Sequence, residues 1–313
     1  MRQHTIKTPY MVGEAHFYST EINGDLVLFD TGPATPEALT FLRERIDLSR
    51  LRYLFITHCH VDHYGLAAHV ALNSSAVILL PRMDAIKFRR HAERLFHIEE
   101  LLIECGFDGA YISELRGTFD KNKVFPSVPE RFEVVEESDL PQRLGISWIA
   151  CPGHSQSDLV YLCGGYAITG DILLREIFQA PLLDIDLATF AARFRNYDAY
   201  CSSLMKLRSL EGYEILPGHR GYVKSLDETI VFYVKKLMER AGLVKRFAGS
   251  GSIRGMIQEL FGKDFNEPFF VYLKASEIVF MRDFLAEPEK LRHALEQIGL
   301  FGQVSGLYAA VTE

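Results

Sequence analysis

The sequence predicts an α+β fold in which two strand-rich halves are followed by an α-helical C-terminal region. Three observations lead to this prediction. Short apolar runs bounded by turn residues recur through the first two thirds of the chain, helical patterns alternate with them irregularly, and the strands largely stop after about residue 225. A Rossmann or TIM fold needs one helix per strand in regular alternation, so neither is predicted.

The first two predicted strands form a hairpin. HFYSTEI (16–22) and DLVLFDTG (25–32) flank Asn23-Gly24, a dipeptide that suits a tight type I′ turn. Thr35-Pro36-Glu37 then supplies a capping hydroxyl, a proline in the first turn and an early acid. This combination predicts a helix that runs to about Ile46.

Two buried strands and a charged helical segment follow in the first half. YLFIT (53–57) and AVILL (76–80) are short apolar runs of the kind buried in a sheet, with a short helix expected around Leu66 to Ala71. From Asp84 to Cys105 the pattern is helical and rich in charge, without a strand signal. This segment is therefore predicted to be an insert outside the sheets.

Strands return in the second half of the chain. Leu187 to Leu210 has a helical pattern, and Gly164-Gly165 is expected to close a hairpin. The predicted strands are RFEVV (131–135), ISWIAC (146–151), LVYLC (159–163), YAITGD (166–171) and YEILPGH (213–219).

The last part of the chain is predicted to be helical. Three segments are amphipathic, namely ETIVFYVKKLMERA (228–241), SIRGMIQELFG (252–262) and KLRHALEQIGLF (290–301), and GSGS (249–252) is expected to be a linker. We therefore expect one domain over residues 1–224 with a helical insert at about 84–105. Residues 225–313 are expected to form an α-helical extension that covers the site.

Composition narrows the class of protein. The 313 residues carry a net charge of -7, from 34 basic and 41 acidic side chains, which disfavours a polyanionic partner such as nucleic acid.

The five cysteines form no C-x-x-C pair, as expected for reduced thiols in the cytoplasm. The N-terminal MRQHTIKTPYMV has no signal-peptide character, and no apolar run approaches the ~20 residues of a membrane span. A cytoplasmic protein without a membrane partner is predicted.

The chemistry is concentrated in one short motif. His58-Cys59-His60-Val61-Asp62-His63 places three imidazoles and a carboxylate directly after a buried strand. A loop at a strand end lets neighbouring side chains diverge, so that one segment can serve two metal ions. Imidazole and carboxylate ligands suit divalent zinc, iron, manganese or nickel.

Three further candidate ligands also follow predicted strands. They are His154 in PGHS, Asp171 in TGD and His219 in PGHRG, each next to a glycine that permits a sharp turn. A lone histidine is more often structural than metal-binding. The ordered set together with HCHVDH nevertheless predicts a metal site.

HCHVDH, PGHSQSD, TGD and PGH in this order, together with the early FDTG, resemble the motifs of the metallo-β-lactamase superfamily over about residues 12–222. The resemblance implies a four-layer αββα sandwich with the site on one edge. It also implies that Asp30 in FDTG supports the site without binding metal. The implied ligands are His58, His60 and His154 for the first metal, Asp62, His63 and His219 for the second, and Asp171 as the bridge between the two.

The resemblance implies a dinuclear hydrolase. Two divalent transition ions per chain are expected, zinc above all, with iron or manganese as alternatives. A metal-bridged hydroxide would attack a small thioester, ester or lactone carbonyl, with Asp62 as the catalytic residue that orients the nucleophile. No ligand is substituted, whereas redox members carry glutamate at the second histidine position, so hydrolysis is favoured.

Three functions stay open at this point. PGHSQSDLVYL and PGHRG look closest to glyoxalase II-like and quinolone-signal thioesterase-like enzymes, which act on small acyl substrates. SGSIRGMIQELFG (250–262) resembles the start of the C-terminal domain of the β-lactamase-like endoribonucleases. A regulatory protein that keeps the metal site is the third alternative, and a homodimer is compatible with the sequence.

Several residues near the motifs have competing interpretations. Cys59 is expected to point away from the metals as a packed thiol. Tyr64 and Arg220 follow ligands directly and are candidates for substrate contact, with surface packing as the alternative. The basic helix, defined by Lys87, Arg89, Arg90 and Arg94, is predicted to be mainly a solvated face, with contact to an anionic substrate as the alternative.

Overall fold

The computed structural model describes residues 1–121, 125–179, 181–247 and 251–313. Two β-sheets face each other, and α-helices pack on both outer faces. The predicted four-layer αββα sandwich with a helical C-terminal region is confirmed.

In the described part of the chain, the first sheet contains six strands in chain order. They are β1 (Arg2–Lys7), β2 (Glu14–Ile22), β3 (Asp25–Phe29), β4 (Leu51–Phe55), β5 (Val77–Leu80) and β6 (Glu133–Val134). The first three strands pair antiparallel, and β3 to β6 pair parallel. Asn23 and Gly24 have φ values of 54° and 89°, as the predicted type I′ turn requires.

The second sheet contains four strands among the described residues. They are β7 (Ser147–Ala150), β8 (Leu159–Cys163), β9 (Tyr166–Gly170) and β10 (Glu214–Pro217), in the spatial order β10-β9-β8-β7. β10 pairs parallel with β9, whereas β7, β8 and β9 are antiparallel neighbours. Gly164 and Gly165 close the predicted β8–β9 hairpin with positive φ.

Eight α-helices lie before residue 225 in the described ranges, and five follow it. The first eight are α1 (Pro36–Arg45), α2 (Val61–Tyr64), α3 (Ala67–Asn73), α4 (Arg82–Arg89), α5 (His91–Glu104), α6 (Gly109–Lys121), α7 (Leu140–Arg143) and α8 (Asn196–Leu207). The last five are α9 (Leu226–Lys245), α10 (Ile253–Phe261), α11 (Pro268–Ala286), α12 (Pro288–Gln297) and α13 (Ser305–Thr312). None of these helices combines the length and apolar character that a membrane span requires.

Successive residues along a central strand pack into different layers of the core. Val27 and Phe29 on β3 face the second sheet, whereas Leu28 between them packs toward the outer helices with Leu42 of α1. Successive strand residues point to opposite faces, so each central strand contributes to two apolar layers. The continuous apolar runs that predicted buried strands are the result of this double burial.

The C-terminal helices share a continuous apolar cluster with the outer face of the second sheet. Val234 of α9 and Phe280 of α11 belong to the same buried cluster as Val160 and Ala167 of that sheet. These helices therefore cover sheet surface that would otherwise face water. The division of the chain at residue 225 stays a prediction, and residues 249 and 250 of the expected linker lie outside the described ranges.

Some elements differ from those predicted. The insert extends beyond residues 84–105, because α6 follows α4 and α5. Residues 187–195 are not helical, since the Asp186 carboxylate accepts hydrogen bonds from the amides of Ala188 and Thr189 and closes a turn there. The predicted strand RFEVV is reduced to Glu133–Val134, and a 3₁₀ turn follows it.

Two buried tyrosines join the sheets directly behind the functional loops. Tyr161 of β8 donates a hydrogen bond to the carbonyl oxygen of Ile56 at 2.7 Å, and Tyr18 of β2 donates to that of Pro217 at 2.7 Å. Thr57 alone separates Ile56 from the HCHVDH motif, and Pro217 lies two residues before His219. Each tyrosine thus anchors a ligand-bearing loop to the opposite sheet.

Tyr161→Phe is expected to lower the free energy of unfolding by about 1–3 kcal/mol, because the carbonyl of Ile56 loses a buried donor. Urea unfolding would measure the change. The matched control is Tyr222→Phe, whose side chain is exposed and which should leave stability nearly unchanged. Equal stability of the two variants would contradict the role given to the cross-sheet bond.

Candidate metal centre

All seven predicted ligands lie at one edge of the sandwich. His58, His60, Asp62 and His63 follow β4, while His154 lies between β7 and β8. Asp171 directly follows β9, and His219 follows β10 by two residues. The structure gathers them into three groups whose donor atoms lie within 4.8 Å of one another: His58, His60 and His154; Asp62, His63 and His219; and His58, His63 and Asp171.

The first group consists of three imidazoles. His60 Nδ1 lies 3.1 Å from His58 Nε2 and 3.0 Å from His154 Nε2. The three rings meet edge to face, so their nitrogens converge on a common region. Three converging imidazoles form a donor set suited to a transition metal ion.

The second group combines two imidazoles with a carboxylate. His63 Nε2 and His219 Nε2 are 3.3 Å apart, and Asp62 Oδ2 lies 3.4 Å from His219 Nε2. His63 and His219 are fully buried, and Asp62 is 9% exposed. This group lies deeper in the protein than His60 and His154, which are partly accessible.

Asp171 lies between the two groups. Its Oδ1 is 3.3 Å from His63 Nε2 and 3.4 Å from His219 Nε2, whereas its Oδ2 is 3.6 Å from His154 Nε2. Each carboxylate oxygen thus faces a different group, as the predicted bridging role requires. Oδ1 is buried without a hydrogen-bond partner among the described residues, as expected of an oxygen atom that binds a cation.

Partners behind the imidazoles determine which nitrogen carries the proton. His63 Nδ1 donates to Asp30 Oδ2 at 2.9 Å, and His219 Nδ1 donates to the carbonyl oxygen of Glu14 at 2.7 Å. His58 Nδ1 lies 3.1 Å from Thr57 Oγ1, whose own proton goes to Asp30. Each Nε2 is then left with a free lone pair directed at the centre.

The electrostatic environment of the second group favours positive charge. Burial alone would lower the pKa of His63, yet Asp171 and Asp30 outweigh it and raise this pKa well above the usual range. Burial likewise opposes, and Asp171 and Asp62 support, a pKa of about 10 for His219. The carboxylates of Asp30, Asp62 and Asp171 thus give this buried group a negative potential, which stabilises a divalent cation.

Asp30 supports the site as the resemblance implied. Besides His63, it accepts hydrogen bonds from the backbone amide and the hydroxyl of Thr57, each at 2.8 Å. Its φ of 61° lies in the left-handed region. Asp30 therefore fixes both the start of the HCHVDH loop and the orientation of its last histidine.

The loop that carries His154 is closed by its own motif. Asp158 accepts from the amide and the hydroxyl of Ser155, both at 2.7 Å. Burial raises the pKa of this carboxyl to about 6, although nearby His154 lowers it. The PGHSQSD pattern thus contains the ligand and the residues that shape its turn.

A second segment, residues 182–187, holds this loop from outside, and its contacts were not predicted from the sequence. Gln156 donates to the carbonyl of Ile185 at 2.7 Å and accepts from the amide of Leu187 at 2.9 Å. The amide of Leu182 donates to the carbonyl of His154 at 3.3 Å. In the sequence, only the position of Gln156, two residues after His154, pointed to this contact.

Helix α5 of the insert and helix α11 of the C-terminal region hold that segment in turn. Asp184 forms a buried ion pair with Arg94 of α5, and α11 contributes Tyr272 and Ser276 as hydrogen-bond partners of Leu183. The insert and the C-terminal helices therefore meet next to His154.

The remaining candidates have clear outcomes. Cys59 is a buried free thiol, as expected. Tyr64 is 2% exposed and donates to the carbonyl of Pro126, so it is a core residue rather than a surface or substrate-contact residue. Arg220 is exposed, with a φ of 68°.

The prediction of a solvated basic helix is wrong for Lys87 and Arg94, because both are largely withdrawn from solvent in ion pairs with aspartates.

The αββα sandwich with a histidine and aspartate centre at its edge defines a metal-dependent hydrolase. The model of the metallo-beta-lactamase superfamily matches residues 16–219, and the chain belongs to this superfamily. Among curated proteins, a sequence search finds no significant match.

Solved structures share the fold at low sequence identity. A metallo-beta-lactamase family protein from Thermus thermophilus is 18% identical, with a TM-score of 0.68, and the match covers 92% of this chain and 94% of that one. A beta-lactamase domain protein from Burkholderia ambifaria is also 18% identical, with a TM-score of 0.69 and coverage of 90% and 86%. Both matches extend beyond the superfamily segment into the C-terminal helices.

The division of ligands can be tested by substitution. Asp171→Ala is expected to reduce the binding of both metal ions, because each carboxylate oxygen faces a different group. His219→Ala should mainly weaken one of the two. Elemental analysis after equilibration at limiting zinc measures this, with Asp139→Ala, at an exposed carboxylate far from these ligands in the sequence, as the control. Full metal content in both site variants would contradict the assignment.

The close approach of Gly218 to the centre provides a second test. A Cβ there would lie 2.5 Å from His63 Cε1 and 2.6 Å from Asp171 Oδ1, so Gly218→Ala must displace one of them. We expect at least about tenfold weaker zinc binding, similar to the loss of a supporting residue. The control is Gly117→Ala in α6, where a Cβ meets nothing within 4 Å. Unchanged affinity in Gly218→Ala would show that the centre tolerates the shift.

Proposed function

We propose that the protein is a dinuclear metal-dependent hydrolase that acts on a small thioester, ester or lactone. The observation that carries the proposal is the convergence of seven nitrogen and oxygen donors, in which Asp171 lies between the first and the second group. Seven donors exceed the four of a single tetrahedral ion, so two ions per chain fit the set. Zinc is proposed, with iron or manganese as alternatives.

Each group of residues has a defined task in this proposal. His58, His60 and His154 would hold the first ion, and Asp62, His63 and His219 the second. Bound divalent ions supply Lewis acidity, which lowers the pKa of coordinated water and polarises a substrate carbonyl. Asp30, Thr57 and the Glu14 carbonyl keep the histidine lone pairs directed inward.

Asp62 is proposed as the catalytic carboxylate. Burial opposes its ionisation, yet His219, whose Nε2 faces Asp62 Oδ2, and His63 hold the pKa of this carboxyl below the usual range. The carboxylate therefore stays ionised near neutral pH and can accept a hydrogen bond from a polar nucleophile. It is also 9% exposed, whereas His63 and His219 are fully buried, so it is the member of the second group nearest to solvent.

Several features favour a small acyl substrate over RNA. Lys87 and Arg94, which could have formed a phosphate-binding face, are instead paired with the buried carboxylates of Asp84 and Asp184. The net charge of -7 also disfavours a substrate with many phosphates. We place the substrate beside the segment Leu182–Leu187, where the insert and α11 meet next to His154.

Membership of the glyoxalase II-like or quinolone-signal thioesterase-like group is part of the proposal. It is supported by the PGHSQSDLVYL and PGHRG motifs and by a helical C-terminal region that reaches the site through Tyr272 and Ser276. The main alternative is an endoribonuclease, favoured by the resemblance of SGSIRGMIQELFG, whose described part forms α10 with Ser252 as its N-cap.

A substrate panel tests the proposal. The zinc-loaded protein is expected to hydrolyse at least one member of a panel of acyl-CoA thioesters, glutathione thioesters and lactones, and His60→Ala should abolish this turnover. Single-stranded RNA and a phosphodiester are assayed with the same preparations. RNA cleavage that disappears in His60→Ala, without any acyl hydrolysis, would establish the endoribonuclease alternative. Zinc binding without turnover of any substrate would favour a regulatory role.

A further inference from the structure

The backbone of the residue between two proposed ligands is held from the insert. Cys59 is the single residue between His58 and His60, and its backbone amide donates to Asp84 Oδ2 at 2.7 Å. The ammonium group of Lys87 donates to the carbonyl oxygen of Cys59 at 3.0 Å. Asp84 and Lys87 are one turn apart on α4 and form an ion pair with each other. We call these two residues the α4 clamp.

Among the residues that the structure describes, no sheet hydrogen bond extends to Cys59. β4 ends at Phe55. Beyond it, one more backbone hydrogen bond joins this part of the chain to β5, from the amide of Ile56 to the carbonyl of Leu79. The α4 clamp therefore binds both main-chain polar groups of Cys59 at a point where the strand has already ended. These bonds meet the requirement that buried backbone groups be paired.

The two charged side chains of the α4 clamp are largely withdrawn from solvent, which is unusual for charged groups. The side chain of Asp84 is 1% exposed and that of Lys87 is 12% exposed. A buried ion pair contributes little net stability, because desolvation of the two charges offsets their attraction, and an apolar pair of similar size would pack as well. The charges are better explained by the two backbone groups of Cys59 that they hold.

The backbone of Cys59 controls the geometry of two proposed ligands at once, because its N–H and C=O belong to the peptide units that join it to His58 and to His60. The φ and ψ angles of Cys59 set the separation of the two flanking imidazoles, whose nitrogens lie 3.1 Å apart. Metal sites require ligand positions within about 0.5 Å. A small rotation at Cys59 would therefore move His58 or His60 out of range, whereas His63 and His219 have their own partners in Asp30 and Glu14.

We propose that Asp84 and Lys87 are positioning residues for the first metal ion, acting through the backbone of Cys59. The inference rests on the proposed two-ion centre and assigns to the insert a role in metal binding. It also explains why Asp84 and Lys87 are withdrawn from solvent, whereas Arg89, the other basic residue in the last turn of α4, is exposed.

The test separates positioning from simple stabilisation. Lys87→Met alone leaves Asp84 buried and unpaired, and this variant is expected to be destabilised. The double variant Asp84→Asn/Lys87→Met removes both charges together and should recover most of the melting temperature of the metal-free protein. It does not restore the bond to the Cys59 carbonyl, so its first-ion affinity should stay low.

Zinc affinity is measured by competition with a chromophoric chelator in two backgrounds. His219→Ala leaves the first group as the complete site, and His154→Ala leaves the second. In the His219→Ala background we expect the double variant to bind zinc about 10–100-fold more weakly, and in the His154→Ala background to change by less than about threefold. Glu93→Gln, which breaks the exposed Arg90–Glu93 pair of the same insert, is the matched control and should change neither affinity.

Two outcomes would overturn the proposal. Equal losses in both backgrounds would mean that the α4 clamp only stabilises the fold, and unchanged first-group affinity would mean that Cys59 is held adequately without it. Absence of zinc binding in both backgrounds, before any change to the clamp, would instead reject the two-ion centre, so the two failures are distinguishable.

Discussion

The structure depends on holding seven candidate metal ligands together at one edge of the sandwich. Several of their imidazole nitrogens lie only 3.0–3.3 Å apart, so rotation of one ring would change the arrangement of the whole donor set. Partners behind the site oppose this rotation, because Asp30 fixes His63, the Glu14 carbonyl fixes His219, and Thr57 fixes His58. The donor set is thus preorganised for a cation.

The two-sheet architecture follows from the same requirement. Three ligand loops, those of His154, Asp171 and His219, belong to the second sheet, while the HCHVDH loop belongs to the first, so the groups can converge only if the sheets stay in a fixed relation. Tyr18 and Tyr161 maintain that relation by donating to carbonyl groups close to the ligands. The helices contribute by holding segments that the sheets cannot reach, through Arg94 and Lys87.

The sequence predicted what is encoded locally. Strand ends, the Asn23-Gly24 turn and the ordered HCHVDH, PGH, TGD and PGH motifs each depend on neighbouring residues, and the ligands they named lie together. Contacts between distant residues were missed because single-sequence patterns contain no signal for them. Lys87 and Arg94 looked like a solvated face, yet each has a buried aspartate as partner, and for Arg94 that partner lies 90 residues away. The strand β1 was missed since RQHTIK is mostly polar, and it sits at the sheet edge.

The contacts of Leu183 have a consequence for synthesis of the protein. His154 is held through a segment whose partners on α11 include Ser276, which lies 93 residues further along the chain than Leu183. During translation the histidines of the first group emerge well before Tyr272 and Ser276 do, and contacts of such long sequence separation form late. The order of emergence from the ribosome therefore delays the contacts between Leu183 and α11 until that helix is available. Until then, the segment next to His154 is held less firmly.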